Sequence, residues 1–265
     1  MDTKQTAATN RLCLIDAYRG ITMISMVLYH ACYDYFSAFG INPQWIAGRG
    51  AFLWQQSICI SFILVSGLVW TLGQKHALKR GLILLALGTV ISLVTTVFMP
   101  SQAIYYGILT FMGFATLFMI PLDKLFSLNQ KSGKNNPVLT ELIHIIICLL
   151  LFALTKHISG GYIGTRYHRL VSLPDSLYAY PFLTPFGLPA HGFTSADYFP
   201  LIPWLFMYLT GYHAGKIIST CPSILKRLKK RIPLLSKLGT KSLLVYIIHQ
   251  PVCYAVVWLI CSRTN

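Results

Sequence analysis

Apolar residues gather along the chain into seven blocks, near residues 13–36, 51–72, 81–99, 103–121, 138–155, 198–217 and 241–261. Each approaches the roughly 20 residues that carry an α-helix across the ~30 Å hydrocarbon core of a bilayer. Two of them, "GLILLALGTVISLVTTVF" and "LTELIHIIICLLLFALT", are the plainest. Short turn-rich pieces separate the blocks, such as "INPQWIAGRG" before the second and Met99-Pro100 after the third. The pattern predicts an all-α, polytopic transmembrane helix bundle of about seven spans, a single domain over residues 1–265. Its longest interruption, about 156–197, holds His157, His168, His191 and several tyrosines and prolines, and is expected to form a partly ordered lid.

The first block breaks the apolar rule. "LIDAYRGITMISMVLYHACYDYF", Leu14 to Phe36, carries Asp16, Arg19, His30 and Asp34. At about 100° per residue all four fall within an arc of about 60°. One narrow polar stripe needs a protein interior or a wet cavity to face, because an ionisable group at mid-membrane costs roughly 2.5–3.5 kcal/mol on insertion scales. Asp16 and Arg19 stand near one end and can pair at i,i+3, or Arg19 can snorkel to the surface. His30 lies about 16 Å further along, with Asp34 one turn beyond it. A carboxylate at that spacing can hold an imidazole tautomer and leave the other ring nitrogen free as a general base.

Two later stretches add polar groups. In "LGTKSLLVYIIHQPV", His249 and Gln250 precede Pro251, which leaves a carbonyl of the preceding turn without its usual donor. The plainer reading is a kinked helix with a structural histidine; the other is a second polar group facing the cavity of His30. In "DYFPLIPWLFMYLTGYHAGK", Asp197, Tyr198 and Trp204 read as interface anchors. Gly211 and Gly215 have the spacing of a helix-packing face, compatible with a homodimer.

Composition sharpens this picture. With 55% hydrophobic and 11% charged residues, the chain is not an ordinary soluble domain. A net charge of +15 could suggest nucleic acid, but the basic residues sit between apolar runs, as topology determinants do. With the N-terminus inside, sixteen Lys and Arg fall on the inner side and five on the outer. The expected location is therefore a cell membrane, crossed several times from a cytoplasmic N-terminus. The run "KRLKKRIPLLSK" then lies on the inner surface against anionic lipid. The seven cysteines lack motif spacing, and most (Cys13, Cys32, Cys59, Cys148, Cys253 and Cys261) read as small core residues. No paired zinc ligands, Walker loop or Rossmann glycine pattern occurs, so no metal is expected. The charged first block argues against a cleavable signal peptide.

The stretches "RLCLIDAYRGITMISMVLYHACYDYF", "IYYGILTFMGFA", "DYFPLIPWLFMYLTGYHAGK" and "LGTKSLLVYIIHQPV" together resemble a bacterial membrane-protein family. That family is grouped with the catalytic domain of heparan-alpha-glucosaminide N-acetyltransferase. The likeness runs in order from residue 11 to residue 254, and Arg19 and His30 keep the R-x10-H spacing of the wider transmembrane acyltransferases. The resemblance implies transfer of an acetyl group from cytoplasmic acetyl-CoA to a glycan or glycoconjugate acceptor on the far side. Two features depart from it. The lysosomal enzyme's reactive histidine lies in the loop between its first two catalytic-domain spans, whereas "SAFGINPQWIAGRGAFL" has none, and that enzyme has asparagine where His30 stands. Many of the bacterial relatives also carry histidine at the position of Thr110. Direct attack by an acceptor amine or hydroxyl then fits better than an acetyl-histidine.

On this resemblance His30 is the expected base and Asp34 its orienting partner. His249 and Gln250 would polarise the thioester carbonyl, Asp16 and Arg19 would organise the pantetheine path, and Lys79 and Arg80 would dock the nucleotide of CoA. Charged stripes and broken helices also describe permeation paths, so a transporter is the first rival and a non-catalytic member of the fold the second.

Overall fold

The computed structural model describes residues 11–132 and 136–264. The N-terminal residues with Lys4, and Lys134, which enter the charge count above, lie outside them. Each of the seven apolar blocks forms a helix: α1 (Cys13–Tyr33), α2 (Arg49–Leu68), α3 (Ala77–Phe98), α4 (Ile108–Ser132), α5 (Pro137–Thr155), α6 (Leu201–Ser219) and α7 (Ser242–Thr264). Five stretches, built on α2, α3, α4, α5 and α7, are long and apolar enough to cross a membrane. The two helices outside that set, α1 and α6, both carry polar residues along their length.

Boundaries move where turn chemistry overrides hydropathy. The fourth block, placed at 103–121 by its apolar run, becomes helical only at Ile108, because Pro100–Gln102 forms a 3-10 turn and Tyr106 takes a positive φ of 55°. The same helix continues through Pro121 to Ser132. A proline inside a membrane helix is tolerated where neighbouring groups satisfy the freed carbonyl.

By its contacts the chain separates into two compact units, residues 1–65 with 218–265, and residues 66–217. In the first, α1 lies against the short helix Pro233–Thr240 with almost no side chain between them. A Cβ on Gly239 would come within 1.8 Å of the Asp16 carbonyl oxygen, and one on Gly20 within 2.3 Å of that of Leu235. Ser236 Oγ locks the crossing by donating to the Cys13 carbonyl at 2.8 Å. Further along α1, Met23, Met26 and Tyr29 pack with Ala51 and Ile58 of α2 and with Val245 and Tyr246 of α7. Trp54 Nε1 donates to Ser25 Oγ at 2.8 Å, so the half-buried indole beside this core is satisfied.

In the second unit α3 and α4 pack closely, a Cβ on Gly88 reaching within 2.4 Å of Thr110 Oγ1. Gly215 of α6 meets the Leu68 carbonyl, consistent with its place on a small-residue packing face. The segment after α5 is ordered. Strands β1 (Tyr162–Gly164) and β2 (Arg169–Ser172) pair antiparallel, and 3-10 turns cover Asp175–Ala179 and Pro181–Phe186. Tyr178 donates to the Ile158 carbonyl and Tyr198 to that of Thr184 at 2.5 Å. These tyrosines supply the hydrogen bonds that a segment so poor in regular structure lacks.

Candidate active site

The polar stripe of α1 resolves into two separate places within the first unit. At one end Asp16 is buried and ion-paired, with Arg11 Nε at 2.6 Å and Arg19 Nη1 at 3.8 Å. The i,i+3 pair expected from the sequence is present, and Arg11 makes the shorter contact. At the other end, near the close of α1, His30 meets His249 of α7, their ring centroids 4.7 Å apart and inclined at 65°. Asp34 opens a π-turn, Asp34–Ala38, and is 1% exposed. Its Oδ1 accepts a hydrogen bond from Gln250 Nε2 at 3.1 Å. The structure thus brings His30, Asp34, His249 and Gln250 together and sets Asp16 and Arg19 apart from them.

The hydrogen bonds fix more than proximity. His249 Nδ1 lies 2.6 Å from the Tyr246 carbonyl oxygen, which can only accept, so Nδ1 carries the proton. In the neutral ring Nε2 then bears a lone pair. Asp34 Oδ2, His249 Nε2 and Gln250 Oε1 are all buried and without a hydrogen-bond partner among the described residues. Buried polar atoms are ordinarily satisfied, so three neighbouring orphan acceptors indicate a place where donors arrive from outside the chain. The carboxylate one turn from His30 does not bond it among the described residues; Gln250 supplies the donor instead.

The second unit holds the other residues singled out from the sequence. Lys79 is exposed at the start of α3, and Arg80 stands over the buried Trp70 ring, 5.9 Å from its centroid. An open cavity of about 450 Å³ is lined by hydroxyls and rings, among them Thr89, Ser92, Thr110, Tyr105, Tyr106 and Phe193. Beside it, Asp197 Oδ2 accepts from the Ile108 N–H at 3.1 Å and caps α4. Burial pushes this carboxyl up from 3.8 to about 6, although the bond from Ile108 favours the anion. The sequence reading took Asp197 for an interface anchor. It also passed over Glu141 and His144, whose E-x-x-H spacing sits in the plainest apolar block of the chain.

A nearly all-α protein with five helices long and apolar enough to cross a membrane belongs to a recognisable class, the multi-pass membrane proteins. The profile of the family described as "Heparan-alpha-glucosaminide N-acetyltransferase, catalytic" matches residues 11–251, and the chain belongs to that family. No curated protein and no solved structure matches it.

Proposed function

We propose that the protein transfers an acetyl group from acetyl-CoA to an amine or hydroxyl of a sugar, with donor and acceptor approaching from opposite faces of the membrane. The observation that carries this reading is the trio of buried orphan acceptors beside the His30–His249 pair. An acceptor amine or hydroxyl, or the amides of pantetheine, would bring the missing donors.

In this mechanism His249 Nε2 takes the proton of the attacking group, which closes on the thioester carbonyl carbon. The C–S bond breaks, and the departing thiolate recovers the proton from the imidazolium. His30 supports the imidazolium's position from the adjoining ring, and Gln250 with Asp34 orients the acceptor. Asp16 and Arg19, in the same unit as the histidine pair, remain the candidate contacts for the pantetheine of CoA. A base with a fixed tautomer in a dry site contributes about 10²–10⁴-fold.

The test is acetyl transfer to glucosamine by the detergent-solubilised protein. His249→Ala should lower kcat by about 10²–10⁴-fold with acetyl-CoA binding retained. His30→Ala should fall less, because its role is to position the pair. A stable His249→Ala protein turning over at the wild-type rate would remove His249 from the reaction and return the role of base to His30.

A further inference from the structure

Within the second unit a cluster unrelated to the His30–His249 pair joins α5 to α6. Glu141 and His144 stand at i and i+3 on α5, and His213 faces them from α6. Glu141 and His213 are 3% and 1% exposed. His213 Nδ1 is 2.5 Å from Glu141 Oε2, and His144 Nδ1 is 4.0 Å from that same oxygen. The two imidazole centroids are 4.7 Å apart. One ligand-capable atom from each of the three residues lies within 4.8 Å of the others.

A hydrogen bond satisfies only half of this arrangement. One proton can bridge Glu141 and His213, but His144 Nδ1 is then left buried without a hydrogen-bond partner among the described residues. Protonating both rings would place two imidazoliums face to face with the Lys216 ammonium, itself 3.7 Å from Glu141 Oε1. One divalent cation satisfies all three inward atoms at once. We propose that Glu141, His144 and His213 form a divalent transition-metal site of the two-imidazole, one-carboxylate type, for which Zn²⁺ is the natural occupant.

The geometry is close to that demand. Ligand bonds of about 2.0–2.1 Å in a tetrahedral site set donor atoms about 3.3 Å apart. From a spread within 4.8 Å, side-chain rotation alone suffices. The metal displaces the proton shared by His213 and Glu141, as metal binding to imidazole generally releases protons. Outer partners are in place as well. Lys216 holds the second oxygen of the Glu141 carboxylate, and Phe126 packs against both rings, at 5.9 Å from His144 and 5.1 Å from His213. A ligating carboxylate anchored by a second group and a hydrophobic wall that keeps water out are the usual surroundings of such sites. Three protein ligands leave a fourth position, suited to hydroxide or an anionic ligand, which offsets the charge added beside Lys216.

Co²⁺ is the probe, added to tag-free, chelator-treated protein in detergent. The expected result is uptake of one Co²⁺ per chain, with visible ligand-field bands, no thiolate-to-cobalt charge-transfer band, and displacement by Zn²⁺. His144→Ala should weaken binding by at least about 100-fold, beyond the losses typical of outer-shell changes. That variant should keep the wild-type melting temperature in chelator, since His144 is part-exposed and lacks a hydrogen bond through Nδ1. His213→Gln should also lose binding; because that residue is wholly buried, His144→Ala is the deciding variant wherever His213→Gln fails to fold. Three results overturn the proposal: no stoichiometric Co²⁺ uptake by the wild-type protein, unchanged affinity in His144→Ala, or a thiolate band that assigns the ion to cysteine. None depends on acetyl-transfer activity.

Discussion

At the scale of single residues, the chemistry-bearing positions of the first unit are legible because lipid penalises them. His30, Asp34, His249 and Gln250 stand out in apolar blocks, and an ionisable group there needs a reason. Their partners are less legible. Spacing of i,i+4 offered Asp34 to His30, but spacing only brings side chains within reach and does not choose among neighbours. The amide of Gln250, 216 residues away, provides a donor that a neutral imidazole of fixed tautomer need not. Asp197 shows the converse, since nothing in "SADYFP" reveals a half-buried cap for a helix that starts 89 residues earlier. Its titration has a measurable consequence. A carboxyl raised from 3.8 to about 6 in the folded state is favoured protonated, so the fold is most stable below about pH 4 with respect to this group. Stability is lost as pH rises through about 6. A shift of that size corresponds to at most about 3 kcal/mol, and partial exposure of the residue reduces it. Asp197→Asn keeps an oxygen to accept from Ile108 while removing the charge. Apparent melting temperatures between pH 4 and 7 should therefore slope less in Asp197→Asn than in the wild type; equal slopes would show that this carboxyl does not titrate in that window.

At the scale of elements, hydropathy located every long helix, and what it missed were the contacts that decide where helices meet. Met23, Met26 and Tyr29 read as part of any apolar stripe, whereas the crossing of α1 with Pro233–Thr240 depends on Gly20 and Gly239, which carry no hydropathy signal at all. The E-x-x-H pair of α5 escaped for a related reason: its third member, His213, is 69 residues further along, on another helix. The glycine crossing yields a direct test. In Gly239→Ala the new methyl would fall 1.8 Å from a backbone carbonyl oxygen, which cannot swing aside as a side chain end can. The helices must separate, at a cost of about 1–3 kcal/mol or more. Gly50→Ala, in the first turn of α2 with nothing within 4 Å of the added carbon, should be neutral or slightly stabilising by helix propensity. Thermal melting of the two variants side by side checks the contrast. Equal melting temperatures would mean that the α1 crossing is not held at the distance described.

At the scale of the whole molecule, the open quantity is which helices cross the membrane. The apolar blocks read as seven spans, while helix length and composition pick out five, leaving out α1 and α6. Both counts are odd, so a reporter at either terminus gives the same answer for each. The loops discriminate. If all seven helices cross, the chain passes through α6 between the segment after α5 and the basic run at 226–231, and those two regions lie on opposite faces. If α1 and α6 stay within one side, the two regions share a face. Physical chemistry favours the first arrangement. Beyond the non-helical Ile202, α6 runs on to Ser219 over about 26 Å, close to the hydrocarbon thickness, and its polar groups, Thr210, Tyr212 and His213, are buried in protein rather than exposed to lipid. Polar groups turned inward are what membrane helices tolerate. The run from Lys226 to Arg231 is moreover the densest basic cluster in the chain, and such clusters resist translocation. Epitopes inserted beside the exposed Tyr167 and between Lys229 and Lys230 should therefore be reached from opposite sides of sealed vesicles, the second only from the cytoplasmic face. Labelling of both from one side would take α6 out of the membrane-crossing set and overturn the seven-span arrangement.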